Sequence, residues 1–157
     1  MIKLSDYINK NLIKIEIEQK SKKRVIEEIV QFLIEKKIIK KKQEKDLTKA
    51  ILKREAIGST GIGQGVALPH AKVSFVKEPL LFFANSKEGV EFNALDGEPV
   101  YIIFLLIGPQ NDEKGVYIKI LSTLAHCVND PYFRAALIKA RTPKEVLEAI
   151  VKEERLL

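Results

Sequence analysis

Between Gly58 and Ala71 the chain reads GSTGIGQGVALPHA, with four of its eight glycines inside eight residues and a Pro-His pair at the end. Histidine changes charge near neutral pH, and its neutral imidazole can attack phosphorus and later release it, because the P–N bond is labile. Glycines lack the Cβ that restricts φ, so such a run can turn several N–H groups toward one point. A concavity built from Ser59, Thr60, Gly61 and Gly63, with two hydroxyls at its entrance, would suit a phosphoryl group carried by His70. Pro69 would stiffen the approach by fixing its own φ. The G-x-G-x-G spacing from Gly61 to Gly65 misses the dinucleotide fingerprint, and no Gly-Lys-Ser/Thr follows, so a nucleotide phosphate loop is disfavoured. Against this stands a plainer reading, since glycine-rich turns often only turn and a lone histidine is often structural.

The elements around the run must position it. After Ser21, a plausible N-cap, Val25, Ile29, Phe32 and Leu33 repeat at helical spacing. Leu47, Ala50, Ile51 and Arg54 give a second helix that ends at the Gly58 cluster, which makes the glycine run a post-helix loop. LLFFA from Leu80 to Ala84 and VYIIFLLI from Val100 to Ile107 read as strands separated by turn residues such as Asp96-Gly97, the second buried on both faces. The alternation IKIEIE from Ile13 to Glu18 predicts an edge strand. Helical spacing returns in Tyr117, Ile120, Leu121, Leu124 and Val128, then in Phe133, Ala136, Leu137 and Ala140, and last in Val146, Leu147, Ile150 and Val151 after Thr142-Pro143. Helices on either side of a strand-rich middle imply an α/β sandwich, one mixed sheet covered by helices on both faces. With 157 residues and 46% hydrophobic content, a single domain over 1–157 is expected.

The net charge of +6 raises the question of nucleic acid, and its distribution answers it. Through Ile57 there are 16 Lys and Arg against 9 Asp and Glu, and from Gly58 onward 11 against 12. The excess lies in KSKKR and KKIIKKKQEK, at the ends of helical patterns and without interleaved aromatics for base stacking, so a solvated surface is the expectation. No apolar run is long enough to span a bilayer and the opening residues do not read as a signal peptide, which points to a cytoplasmic protein without membrane insertion. One cysteine, Cys127, excludes an intrachain disulfide and a multi-cysteine metal site.

KREAIGSTGIGQGVALPHA, from Lys53 to Ala71, resembles the signature of the type-2 (fructose/mannitol-like, including nitrogen-regulatory) IIA proteins of the bacterial phosphoenolpyruvate-dependent sugar phosphotransferase system. DGEPV with YIIFLLIGP and the segment from Tyr117 to Ile150 resemble the same family, so the likeness covers nearly the whole chain. It implies a phosphohistidine carrier. His70 would take a phosphoryl group from a small histidine phosphocarrier protein and pass it to a IIB cysteine, or use it as a regulatory state toward other proteins. Arg54 matches the family arginine beside the phosphoryl group, a role suited to a planar guanidinium that binds two oxygens. Glu55 is expected to be an exposed neighbour. Transfer between protein side chains needs positioning and charge stabilisation, so neither cofactor nor metal is implied.

The resemblance breaks at one place. Many members carry a second active-site histidine at the start of the helix that here opens Tyr117-Ile118-Lys119, and the matching position is Tyr117. A tyrosine hydroxyl donates a hydrogen bond but supplies no positive charge, so Tyr117 is either a phosphate contact or core packing, and onward transfer is the step it puts in question. His126 and Cys127 are adjacent on that helix and diverge by about 100°, so they form neither a nucleophile–base pair nor a metal pair. Both are expected to be structural.

Overall fold

A computed structural model describes residues 2–157. The described residues form one mixed sheet of six strands and five α-helices, in the order β1 (Ile13–Lys14), α1 (Lys22–Glu35), α2 (Glu44–Ile57), β2 (Gly61–Gly63), β3 (Val66–Ala67), β4 (His70–Val73), β5 (Leu80–Val90), β6 (Val100–Pro109), α3 (Val116–Cys127), α4 (Pro131–Lys139) and α5 (Pro143–Glu154). The β-branched and aromatic runs become the two long strands, which pair antiparallel with Phe83 opposite Phe104.

Two adjacent phenylalanines show why helices cover both faces. Successive strand residues point to opposite sides, so Phe82 and Phe83 seed two separate cores. Phe82 meets Phe32 of α1 edge-on at 5.8 Å, whereas Phe83 meets Phe104, which in turn stacks on Phe133 of α4. Each of these strand rings is fully buried, worth roughly 1.5–3 kcal/mol of transfer free energy apiece. The sandwich expected from the sequence is therefore present.

Strand β6 is central, with β5 along one edge and both β3 and β4 along the other. Val66 pairs with Ile102 and His70 with Leu106, a constant offset, so β3 and β4 are one parallel strand interrupted at Leu68-Pro69. Proline has no N–H to give the ladder, which explains the break, yet the Pro69 carbonyl still accepts from the Leu106 N–H at 3.0 Å. The interruption frees Leu68 for another use at the site.

Some local expectations change. The edge strand stops at Lys14, because Glu16 turns left-handed at φ 59° and its N–H is taken by the buried Asn85 side chain at 2.8 Å. Ser21 does occupy the N-cap of α1, but its side chain makes no cap bond. Thr142 caps α5 through its side chain, accepting from the Glu145 N–H.

Candidate functional site

Helix α2 ends at Ile57, and the glycine run after it is not an open loop. Gly61–Gly63 and Val66–Ala67 pair as an antiparallel hairpin whose turn takes φ of 99° at Gly63, 57° at Gln64 and 77° at Gly65. Gly61 serves a different need: a Cβ there would lie 2.9 Å from the Ala94 backbone. The donors of the run point to separate partners. Thr60 N–H goes to Glu55, Gly61 N–H to the Ser59 hydroxyl, Gln64 N–H to Asp96 and Leu68 N–H to the Thr60 carbonyl. The hydroxyls are committed as well, Ser59 to the Phe92 carbonyl and Thr60 to the Glu55 carboxylate.

Glu55 departs from the expectation of an exposed neighbour, since it is 7% exposed. Its carboxylate accepts from the backbone and hydroxyl of Thr60 and pairs with Lys22 Nζ of α1 at 3.0 Å. The ammonium also lies over the Phe92 ring, 5.1 Å from its centroid. A carboxylate buried at a helix end survives only when its charge is compensated and its lone pairs are filled, and both conditions hold here.

This anchor leads to His70. Glu55 fixes Thr60, the Thr60 carbonyl accepts from Leu68 N–H at 2.9 Å, and the Leu68 carbonyl lies 2.8 Å from His70 Nδ1. A carbonyl oxygen only accepts, so Nδ1 carries the hydrogen. On the other side of the ring Arg54 Nε stands 3.3 Å from Nε2, and a guanidinium N–H only donates, so Nε2 offers its lone pair. Two independent contacts thus select the same neutral tautomer with Nε2 as the nucleophilic atom. Arg54 is held in turn by a 2.7 Å bond from Nη1 to the Gly58 carbonyl.

Tyr117 forms a wall of the same pocket as Arg54 and His70. Its ring is 3% exposed and meets the His70 imidazole edge-on, with centroids 6.3 Å apart. Asp112 fixes the start of α3 by accepting from the Tyr117 N–H at 3.1 Å, and Gly108 gives the ring its space. Burial raises the pKa of the Tyr117 hydroxyl well above the usual tyrosine value, partly opposed by the Arg54 charge and reinforced by Asp112, so this wall is neutral at physiological pH. The pocket, about 460 Å³, is lined by Ala50, Lys53, Arg54, Ile57, His70, Ala71, Lys72 and Tyr117.

The structure therefore brings Arg54, His70 and Tyr117 together, and leaves Ser59, Thr60, Gly61 and Gly63 out of the pocket lining. Sequence reading missed the Leu68 carbonyl, for which the only signal was the proline that interrupts the strand. It also missed Lys72, whose signal was strand alternation from His70. His126 is exposed and Cys127 is buried on α3, the thiol pushed up to about 11 by burial and then by Glu153, Glu154 and Asp130. A thiol so raised is a poor nucleophile, in line with a packing role for Cys127.

Residues 6–153 match the family described as "Phosphoenolpyruvate-dependent sugar phosphotransferase system, EIIA 2". The chain belongs to this family. It is 32% identical over 154 residues to the PTS system fructose-specific EIIABC component of Bacillus subtilis (strain 168), covering 98% of this chain but only 24% of that longer protein. The crystal structure of nitrogen regulatory protein IIA-Ntr from Neisseria meningitidis superposes with a TM-score of 0.84 at 33% identity, over 94% of this chain and 98% of the other. The mannitol IIA from Escherichia coli, solved in complex with phosphorylated IIB, shares the fold with a TM-score of 0.71 at 19% identity, over 92% and 97% of the two chains. As an EIIA protein the chain is thus a component of phosphotransfer chemistry, with both sugar-transport and nitrogen-regulatory relatives. No helix among the described residues is long and apolar enough to cross a membrane.

Proposed function

We propose that this chain is a cytoplasmic phosphohistidine carrier in which His70 Nε2 accepts a phosphoryl group from the phosphohistidine of a small histidine phosphocarrier protein. The observation that carries the reading is the fixed tautomer, with Nδ1 at 2.8 Å from the Leu68 carbonyl and Nε2 facing Arg54 at 3.3 Å. As the Nε2–P bond forms, the P–N bond of the donor breaks and its electron pair returns to the donor imidazole. The proton stays on Nδ1, which donates it to the Leu68 carbonyl as a hydrogen bond, so the phosphorylated ring is cationic and becomes a neutral imidazole when the group moves on. Arg54 must first leave the lone pair it now covers; its guanidinium then presents two donors to the phosphoryl oxygens and offsets their charge. Ser59, Thr60, Gly61 and Gly63 act by shaping the turn that delivers Leu68 and His70. The step balances without nucleotide, metal or other cofactor.

The onward acceptor is a IIB cysteine or a regulated target protein. A complex with phosphorylated IIB is known for the E. coli mannitol relative, which supports the first, and the IIA-Ntr likeness supports the second. One observation favours the regulatory reading: the aromatic wall beside His70 is the neutral Tyr117, which steadies a resting phosphoryl group better than it stabilises one in flight. No role with nucleic acid or membrane insertion is proposed. Incubation with phosphoenolpyruvate, the general phosphotransferase enzymes and the phosphocarrier should add one acid-labile phosphoryl group, located by mass spectrometry on His70. Equal labelling of His70→Ala would overturn the assignment, and loss of labelling in His126→Ala alone would move the site. Transfer from the labelled protein to a IIB cysteine, followed by quench-flow, separates the two acceptors: fast transfer in the parent favours transport, slow transfer that Tyr117→His accelerates favours regulation.

A further inference from the structure

The pocket around His70 carries an unbalanced charge. Its lining contains Lys53, Arg54 and Lys72 but no carboxylate, and none of these three cations takes part in an ion pair among the described residues. Unpaired lysines are common elsewhere on this surface, but here three cations share one pocket whose lining holds no carboxylate to offset them. Three unpaired cations around one nucleophile form a field that favours an anion.

Of these three cations Arg54 alone contacts the imidazole, and it does so at Nε2. A phosphoryl group on Nε2 has three terminal oxygens, more than one guanidinium edge can hold with two parallel bonds. Tyr117, which also lines the pocket, brings no charge. Lys72 is placed to supply it. It lies two residues beyond His70 on β4, and strand alternation puts the two side chains on the same face while Ala71 and Val73 point into the core. Its ammonium rests over the Tyr117 ring, 5.0 Å from the centroid, and that ring is the one that touches His70. The side chain is exposed, and an aromatic face holds an accessible ammonium only weakly. A doubly charged group on the neighbouring imidazole offers more, so the ring serves as a parking place from which the ammonium moves a short way. Lys53, by contrast, sits on the exposed side of α2 with no contact that holds it over the imidazole.

We propose that Lys72 is the second cation of the phosphoryl site: on phosphorylation of His70 its ammonium leaves the Tyr117 ring and pairs with the phosphoryl oxygens that Arg54 does not hold. This rests on the reading of His70 as the phosphoryl acceptor, and it adds a state-dependent feature. In the free protein Lys72 covers the Tyr117 face; in the phosphorylated protein it is drawn to His70 and uncovers that face. A partner docking over the pocket meets two different surfaces.

The test uses protein phosphorylated on His70 by phosphoramidate, a small donor that needs no partner protein, with ³¹P NMR following the second ionisation of the phosphoryl group. A nearby ammonium favours the dianion, so this ionisation in Lys72→Met should lie above the parent by about half a pH unit or more, with Lys72→Arg close to the parent. A thermal melt checks that the variants fold, which an exposed position should allow. Lys72→Met titrating like the parent would overturn the proposal, as would failure of both phosphoramidate and the phosphocarrier protein to modify His70, since Lys72 would then have no phosphoryl group to meet. Labelling by the phosphocarrier protein, run on the same samples, separates the two ideas: a parent that takes phosphoramidate but not the carrier's group refutes the carrier function while the titration still decides Lys72.

Discussion

Replacing Glu55 by glutamine removes one charge and should be felt at two distances. The carboxylate accepts from the Thr60 backbone at 3.1 Å and from its hydroxyl, and pairs with Lys22 at 3.0 Å, where the Lys22 side chain is 17% exposed. Glutamine can keep one carbonyl oxygen where Oε2 now serves both the Thr60 N–H and Lys22, but its amide then faces the Thr60 hydroxyl and the ammonium has lost its counter-charge. Hydrogen bonds to a charged group are worth about 1.5–3 kcal/mol, and removing one partner of a buried pair about 3–5 kcal/mol. The retained acceptor and the partial access of Lys22 to water lower that figure, so the expected loss is about 2–4 kcal/mol. At roughly 2–4 °C per kcal/mol for a chain of this size, Tm should fall by about 5–15 °C. The double variant Lys22→Met with Glu55→Gln should recover part of the loss, because the stranded ammonium is gone, although its contact with Phe92 goes too. Urea denaturation measures all three. The second effect travels through Thr60 and Leu68 to His70 Nδ1, and ¹⁵N NMR of the imidazole should show Glu55→Gln losing the single tautomer of the parent. A stability change below about 0.5 kcal/mol, the range of ordinary surface substitutions, would refute the anchoring role of Glu55.

Other expectations follow from the same geometry. In Gly108→Ala the new methyl would lie 2.3 Å from Tyr117 Cδ2, so stability should drop by about 1–3 kcal/mol, and the same change in a Tyr117→Ala background should be nearly neutral by denaturant titration. Arg54→Lys keeps the charge but loses the planar fork, so phosphorylation of His70 should slow at least about tenfold with Tm unchanged; labelling at the parental rate would contradict the role. The Glu153 carboxyl is raised from 4.5 to about 7 by burial, then by its hydrogen bond with Asp130 and that residue's charge. The folded state thus binds this proton more tightly than the unfolded state, and stability should be lost as pH rises from about 4.5 through about 7, by at most about 3 kcal/mol. Glu153→Gln should therefore be more stable than the parent at pH 8 and nearly indistinguishable from it at pH 4, below both values, as read from urea midpoints.

Much of this protein is written locally. Helical spacing in α1 to α5, β-branched and aromatic runs in β5 and β6, and the Thr142-Pro143 start of α5 each depend on contacts within a few residues, so they are legible one element at a time. The pair Arg54 and His70 was legible as well, but only because a long string resembles a known family; a separation of 16 in the sequence carries no geometric information by itself. Glu55 shows what local reading lacks. Beside Arg54 at a helix end it has the composition of a solvated residue, and it is buried because Lys22, on another helix, and Thr60, in the hairpin, converge on it. The glycine run likewise announces conformational freedom but not its use, since flexibility permits a phosphate nest and a tight hairpin equally, and Asp96 and Ala94 from a distant segment select the hairpin. The tautomer of His70 was decided last of all. It depends on where a carbonyl two residues away and a guanidinium sixteen residues away come to rest once the sheet has closed, and hydrogen bonds of that kind are set by tertiary distance, not by the order of residues along the chain.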